Sequence, residues 1–229
     1  MHRLASAGFR AWAHDLPGCG NSEAVYSSNG RYAIANLTSA VEAFVERVGI
    51  ECVALVGHSM GGAIALEMGA RRPDASRALM LVSPLVSGQL GPTLRVLLGL
   101  PFGRRLLELL QHRAAPWLAR TLPPGAARLR DVQDLARAAP QATLDSLQAV
   151  IDFDFSDHLA EIHVPTLVVV GTRDMTVSPS EGELAADRIP DARLVKLRGV
   201  GHQPVDECPE EFDRLVLGFL KGLAPPCEG

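Results

Sequence analysis

The run Gly57-His58-Ser59-Met60-Gly61-Gly62 constrains the fold of this chain more than any other stretch. It follows the apolar segment Cys52-Val53-Ala54-Leu55-Val56 and precedes Ala63-Ile64-Ala65-Leu66-Glu67-Met68. The first reads as a buried strand and the second as a helix. A strand, a tight turn bearing Ser and then a helix have the form of a nucleophile elbow. Gly at 57 and 61 is expected to let the backbone turn without a Cβ clash. The opening amides of the helix direct free N–H groups at any negative charge that develops beside the Ser. Five small positions match by chance often enough that the reading depends on a base and an acid following in the right order.

The surrounding chain alternates strands and helices. Gly8 to Ala13 reads as a short strand, and Asp15-Leu16-Pro17-Gly18-Cys19-Gly20-Asn21-Ser22 as the loop after it, with Asp15 organising its own turn. Asn36 to Val48 is an amphipathic helix ended by Gly49. Met60 to Arg72 is helical and stops at Pro73. Strands are expected at Ala78–Val82, Thr166–Val170 and Arg193–Leu197, and helices at Glu181–Arg188 and Glu210–Lys221. Near-continuous apolar strands between helices argue for an α/β fold with a mostly parallel sheet covered on both faces.

Val86 to Ala160 breaks that alternation. Short Leu-rich helices, punctuated by Pro92, Pro101, Pro116 and the Pro123-Pro124-Gly125 break, read as a helical cap inserted between two strands. The expected organisation is one core in two parts, residues 1–85 and 161–229, around a cap over 86–160. Charge in the cap is polarised. Residues 91–130 hold seven Arg against the single acid Glu108, and residues 131–160 hold one Arg against six Asp. Solvated faces account for that pattern. The sharper alternative is a basic rim, including Arg104 and Arg105, that attracts an anionic substrate or an acyl carrier.

Bulk properties exclude several classes. A chain of 229 residues with 47% hydrophobic and 21% charged residues has ordinary globular composition. The net charge of -4, without a basic run interleaved with aromatics, does not suggest a nucleic-acid partner. No 18-residue apolar run is present, so stable membrane insertion is not expected. Cys19, Cys52, Cys208 and Cys227 lack paired-ligand spacing and read as unpaired thiols in a reducing compartment. With no basic n-region ahead of an apolar h-region, the cytoplasm is the expected location. A small-molecule substrate is the expected partner, and a homo-oligomer is compatible with the composition.

A nucleophilic Ser needs a base to take its proton, and the base needs an acid to fix its tautomer. Two positions after Ser59 stand out. Asp174 lies in Val170-Gly171-Thr172-Arg173-Asp174, just past a strand's carboxyl end, and His202 lies in Gly199-Val200-Gly201-His202-Gln203-Pro204, just past the next. Catalytic groups gather outside the carboxyl ends of strands in open α/β sheets, so all three converge on one edge. Their order, Ser then Asp then His, is that of an elbow-type hydrolase. Asp152, Asp154 and Asp157 are alternative acids, and loop capping is the alternative role for Asp174. His14 and His58 read as structural, each locked to a local turn. His158 and His163 lack partners at metal-ligand spacing.

With those motifs in place, the chain resembles the α/β-hydrolases, close to small cap-bearing esterase and lipase-like members. The likeness runs through Gly8 to Ser22, the elbow, Val164 to Asp174, Gly201-His202-Gln203-Pro204 and Pro209-Glu210-Glu211-Phe212. It implies Ser59 as nucleophile, His202 as base, Asp174 as acid and the Met60 backbone N–H as one oxyanion-hole donor. It implies cleavage of a carboxylic ester or thioester with a mostly apolar acyl or aromatic group, with no metal and no organic cofactor. C–C hydrolysis, perhydrolysis and acyl transfer use the same triad, and a non-catalytic protein retaining the fold is a further alternative. Leu97, Leu107 and Trp117 are cap candidates for substrate contact.

The likeness begins late. Related chains carry two or three strands and a His-Gly-type loop, which supplies a second oxyanion donor, before the part resembling Gly8 to Ser22. Here Arg3 to Gly8 reads as the end of the helix after that loop. The favoured expectation is that this chain belongs to a longer product, that its second donor is not in this sequence, and that one strand is missing beside Cys52–Val56; a rearranged sheet is the alternative.

Overall fold

The computed structural model describes residues 2–23, 32–121, 132–133, 136–138 and 140–223. The Pro123-Pro124-Gly125 break and Cys227 fall outside that set, as do the side chains of Leu97, Arg104 and Leu107.

The core is a parallel sheet of β1 (Val53–His58), β2 (Ser76–Val82), β3 (Thr166–Gly171) and β4 (Ala192–Leu197), in that spatial order. Register pairs Leu55 with Leu79, Leu81 with Val168, and Val168 with Leu194. Helix α1 (His2–Ser6) and α2 (Ile34–Arg47) precede β1. Helix α3 (Met60–Arg71) joins β1 to β2. Between β2 and β3 lie α4 (Pro92–Gly99), α5 (Gly103–Leu109), α6 (Ala115–Thr121) and α7 (Pro140–Asp152). Helix α8 (Pro179–Arg188) joins β3 to β4, and α9 (Pro204–Glu207) and α10 (Pro209–Gly222) follow β4.

Period-two alternation explains why β2 and β3 read as unbroken apolar runs. Leu79, Leu81, Val168 and Val170 face Leu66 of α3, Ala185 of α8, and Phe155, Leu159 and Ile162. Met80, Val82, Leu167 and Val169 face the other way, onto Phe212, Val216 and Leu220 of α10. Successive residues on a strand point to opposite faces, so a strand covered on both sides must be apolar throughout. Phe212, Val216 and Leu220 recur every four residues and so form one stripe of α10. A third cluster joins Leu37 of α2, Ile64 of α3 and Val150 of α7. Helix α2 ends as expected, with Gly49 at φ +67° and Ile50 N–H donating to the Val45 carbonyl.

Two expectations fail. Gly8–Ala13 does not join the sheet. Its apolar side chains find partners on helices instead: Phe9 packs on the α10 side of the sheet, and the ring of Trp12 lies 6.0 Å from that of Phe44 on α2, where the ring of His14, just past the segment, stacks at 4.6 Å. Cys52 lies outside β1 and is exposed rather than buried. Among the described residues β1 pairs only with β2, and Val56 at its middle is 49% exposed.

Candidate active site

Ser59 occupies the turn between β1 and α3 with φ 54° and ψ −118°. Non-glycine residues rarely adopt positive φ, and they hold it only where their surroundings over-determine it. Here Ser59 N–H donates to the Val82 carbonyl at 2.9 Å, and the Ser59 carbonyl accepts Gly62 N–H at 2.9 Å and Leu85 N–H at 3.3 Å. Gly57 is required, because a Cβ there would collide with the Gly61 carbonyl. The expected steric need at Gly61 is not met: a Cβ there touches nothing, whereas at Gly62 it would press on Pro84 Cβ at 2.8 Å. The crowded glycine is therefore the one where α3 passes the loop after β2. Met60 opens α3, so its amide belongs to the first turn, whose N–H groups lack intrahelical partners.

Asp174 follows β3 and is buried, with 6% of its surface exposed. Its Oδ2 lies 2.7 Å from His202 Nδ1, while Oδ1 accepts the amides of Thr176 at 2.8 Å and Val177 at 3.0 Å. Burial disfavours the carboxylate, but the His202 bond and charge and the two amides outweigh it, holding the carboxyl below its ordinary value. An ionised Asp174 only accepts, so Nδ1 of His202 carries the proton and Nε2 of the neutral ring is left with a lone pair.

The loop bearing His202 is tied on several sides. Both carboxylate oxygens of Glu207 on α9 accept from it, Oε2 from Gly201 N–H at 2.7 Å and Oε1 from Gln203 N–H at 3.0 Å. Gly199 N–H donates to Thr172 Oγ1 at 2.9 Å, and Arg173 N–H to the Val200 carbonyl at 2.8 Å. A Cβ on Gly171 would strike the Gly201 carbonyl, so the two loops approach as closely as backbones can. Ser59, Asp174 and His202 thus follow the carboxyl ends of β1, β3 and β4.

Sequence reasoning missed two residues here. His58 is not locked to its own turn: its Nε2 lies 2.7 Å from the His202 carbonyl, and the two rings are 4.6 Å apart. Glu181 is buried to 1% exposure and accepts from Val86 N–H, Ser87 N–H and Ser87 Oγ at 2.6–2.9 Å, clamping the loop after β2. The visible signal was Ser178-Pro179-Ser180-Glu181. That spacing suggests a capping box, yet the carboxylate leaves its own helix.

Two of the three alternative acids are engaged elsewhere. Asp152 accepts from Gln148, and Asp154 from Ser156. Trp117 on α6 is 64% exposed. A groove of about 730 Å³, bordered by Tyr32, Glu67, Asp145, Asp152 and Phe153, does not include Ser59, Asp174 or His202 in its lining. No helix among the described residues is long and apolar enough to cross a membrane.

A parallel sheet flanked by helices, with a Ser on a strained strand-to-helix turn and an Asp–His pair two and three strands along, defines an α/β-hydrolase. A family model described as serine aminopeptidase, S33, matches residues 1–209, and the chain belongs to that family. The chain is 35% identical over 220 residues to polyketide synthase ThaQ of Burkholderia thailandensis, covering 90% of this chain but only 10% of that protein. It is 28% identical to the pimeloyl-[acyl-carrier protein] methyl ester esterase of Neisseria meningitidis serogroup B, across 92% of this chain and 82% of the relative. Among solved structures, the esterase RhEst1 from Rhodococcus sp. ECU1013 superposes with a TM-score of 0.76 at 26% identity, covering 98% of this chain and 85% of that one. Apart from that synthase, these relatives are esterases.

Proposed function

We propose that this chain is a cytoplasmic serine hydrolase acting on a carboxylic ester or thioester with a mostly apolar acyl or aromatic group. The observation that carries the reading is the 2.7 Å bond from His202 to Asp174, in a loop bonded to His58, the last residue of β1 and the neighbour of Ser59. Ser59 Oγ attacks the carbonyl carbon, and His202 Nε2 takes the hydroxyl proton. Asp174 keeps the ring in the Nδ1–H tautomer and stabilises the imidazolium that forms. Negative charge on the carbonyl oxygen falls beside the Met60 amide at the start of α3. His202 then protonates the leaving group. Water, deprotonated by the same His, attacks the acyl-Ser59 ester and releases the acid.

The esterase relative acts on an acyl group held by a carrier protein. Substrates joined to a carrier as esters or thioesters therefore belong beside free esters in the test. A fluorophosphonate probe is expected to label the chain at Ser59, and Ser59→Ala to abolish labelling. No labelling of the folded protein removes the hydrolase reading and leaves a non-catalytic member of the family. An ester and thioester panel varied in chain length and carrier then defines the substrate; cleavage confined to a diketone C–C bond overturns the ester assignment.

A further inference from the structure

We propose that His58 is a positioning residue: its Nε2–H holds the His202 backbone carbonyl and sets the base against the strand that leads into Ser59. This rests on the assignment of His202 as base.

The base loop has two sets of anchors. Glu207, Thr172 and Arg173 tie it to α9 and to the loop carrying Asp174. None of these bonds reaches β1. The bond from His58 Nε2 to the His202 carbonyl does, joining residues 144 positions apart at 2.7 Å. It connects the main chain of the base to the residue adjoining the nucleophile. Losing it leaves His202 with its acid but frees the pair to drift as a unit relative to Ser59. Proton transfer needs heavy atoms within about 3.2 Å, and a 1 Å misplacement costs about 100-fold in rate.

The bond also specifies the state of His58. A carbonyl only accepts, so Nε2 must carry a proton, and the neutral ring is the Nε2–H tautomer. The groups facing that ring are His202, Asp174 and Asp206. Burial, followed by the His202 ring, pushes its pKa down to about 4, against the carbonyl bond and the two carboxylates. His58 therefore stays neutral while His202 gains and loses its proton 4.6 Å away. A cation at 58 would oppose the imidazolium that the reaction requires.

The test compares His58→Gln, which keeps an amide donor, with His58→Phe, which keeps a ring and loses the donor. His58→Phe is expected to lower both kcat and the fluorophosphonate labelling rate by about 10- to 100-fold with KM changed less than about threefold. His58→Gln is expected to recover most of that loss. Equal rates in wild type and His58→Phe, or equal losses in both folded variants, overturn the proposal. Nitrogen-15 NMR of the wild-type rings is the readout that does not need the variants to fold. His58 is expected as the neutral Nε2–H tautomer at pH 7, and an Nδ1–H tautomer overturns the proposal. If the tautomer is found but wild type is not labelled, the hydrolase reading fails while the tie from His58 to the His202 loop stands.

Discussion

β3 is buried along its whole length and ends in a loop whose carboxylate accepts from His202 and from two backbone amides, whereas β1 is paired on one side only among the described residues and leaves Val56 half exposed. The site therefore has a pre-organised half and a lightly held half. Asp174 and His202 share a closed network running through Thr172, Arg173, Val200, Gly201 and Glu207. Ser59 depends on its amide bond to Val82, on the approach of the Leu85 amide, and on what reaches it through His58. The proposed chemistry sits where the two halves meet. Damage to the first half should remove activity or fold outright, and damage to the second should be graded.

The largest effect belongs to Asp174. In Asp174→Asn the side-chain oxygen can still accept the Thr176 and Val177 amides, so the loop is expected to keep its shape. The amide nitrogen then faces His202 Nδ1 and forces the ring toward the wrong tautomer. Turnover is expected to fall by about 10⁴, with the unfolding midpoint close to wild type. A loss under tenfold in ester turnover would mean that His202 draws its acid from elsewhere.

Leu167→Ala tests the buried half by packing alone. Leu167 is fully buried on the α10 face of β3, and truncating a buried Leu costs about 2–5 kcal/mol. Urea unfolding is the measurement, and a loss below about 1 kcal/mol would show that this face collapses around the cavity.

Acid should act first on the junction between the halves. His58 is held at about 4 in the folded chain against an ordinary value near 6.5. As pH falls between those values the unfolded chain takes up a proton that the fold refuses, so stability is present above 6.5 and is lost on the way down to 4. A shift of that size is worth roughly 3 kcal/mol at most. His14, lowered by burial against the pull of Asp15, adds to the same slope. Asp174, depressed on balance, contributes its loss only below the ordinary carboxylate range. Urea midpoints from pH 7.5 to 4.5 should slope less in His58→Gln than in wild type. Parallel slopes would place the acid sensitivity elsewhere.

How much of this was legible in the chain depends on the range of each interaction. β2, β3 and α10 could be read directly, because their patterns follow from which faces are covered. The order Ser59, Asp174, His202 and their loops after strands were also legible, since parallel topology sends every strand's carboxyl end to one edge. Gly8–Ala13 misled because an apolar extended stretch looks the same whether it joins a ladder or lays its rings on Phe44. His58 and Glu181 were opaque for a different reason. Each bonds a segment 144 or about 95 positions away, and local residue pattern carries no record of such a partner.

The smallest effect is the sharpest comparison, because one substitution can be placed in both halves. Val→Thr keeps the β-branch and nearly the volume, and adds a hydroxyl that must find a hydrogen-bond partner or water. Val168 in β3 is fully buried between Leu81 and Leu194 on its neighbouring strands. A hydroxyl there loses water, and Val168→Thr is expected to cost about 1–3 kcal/mol. Val56 is 49% exposed on a strand paired on one side, so its hydroxyl stays hydrated and Val56→Thr should change stability by less than about 0.5 kcal/mol. Urea unfolding of the two variants side by side reads the difference between the halves without disturbing any group of the site. If Val56→Thr costs as much as Val168→Thr, β1 is covered in solution by something that hides Val56, and the lightly held half is not light at all.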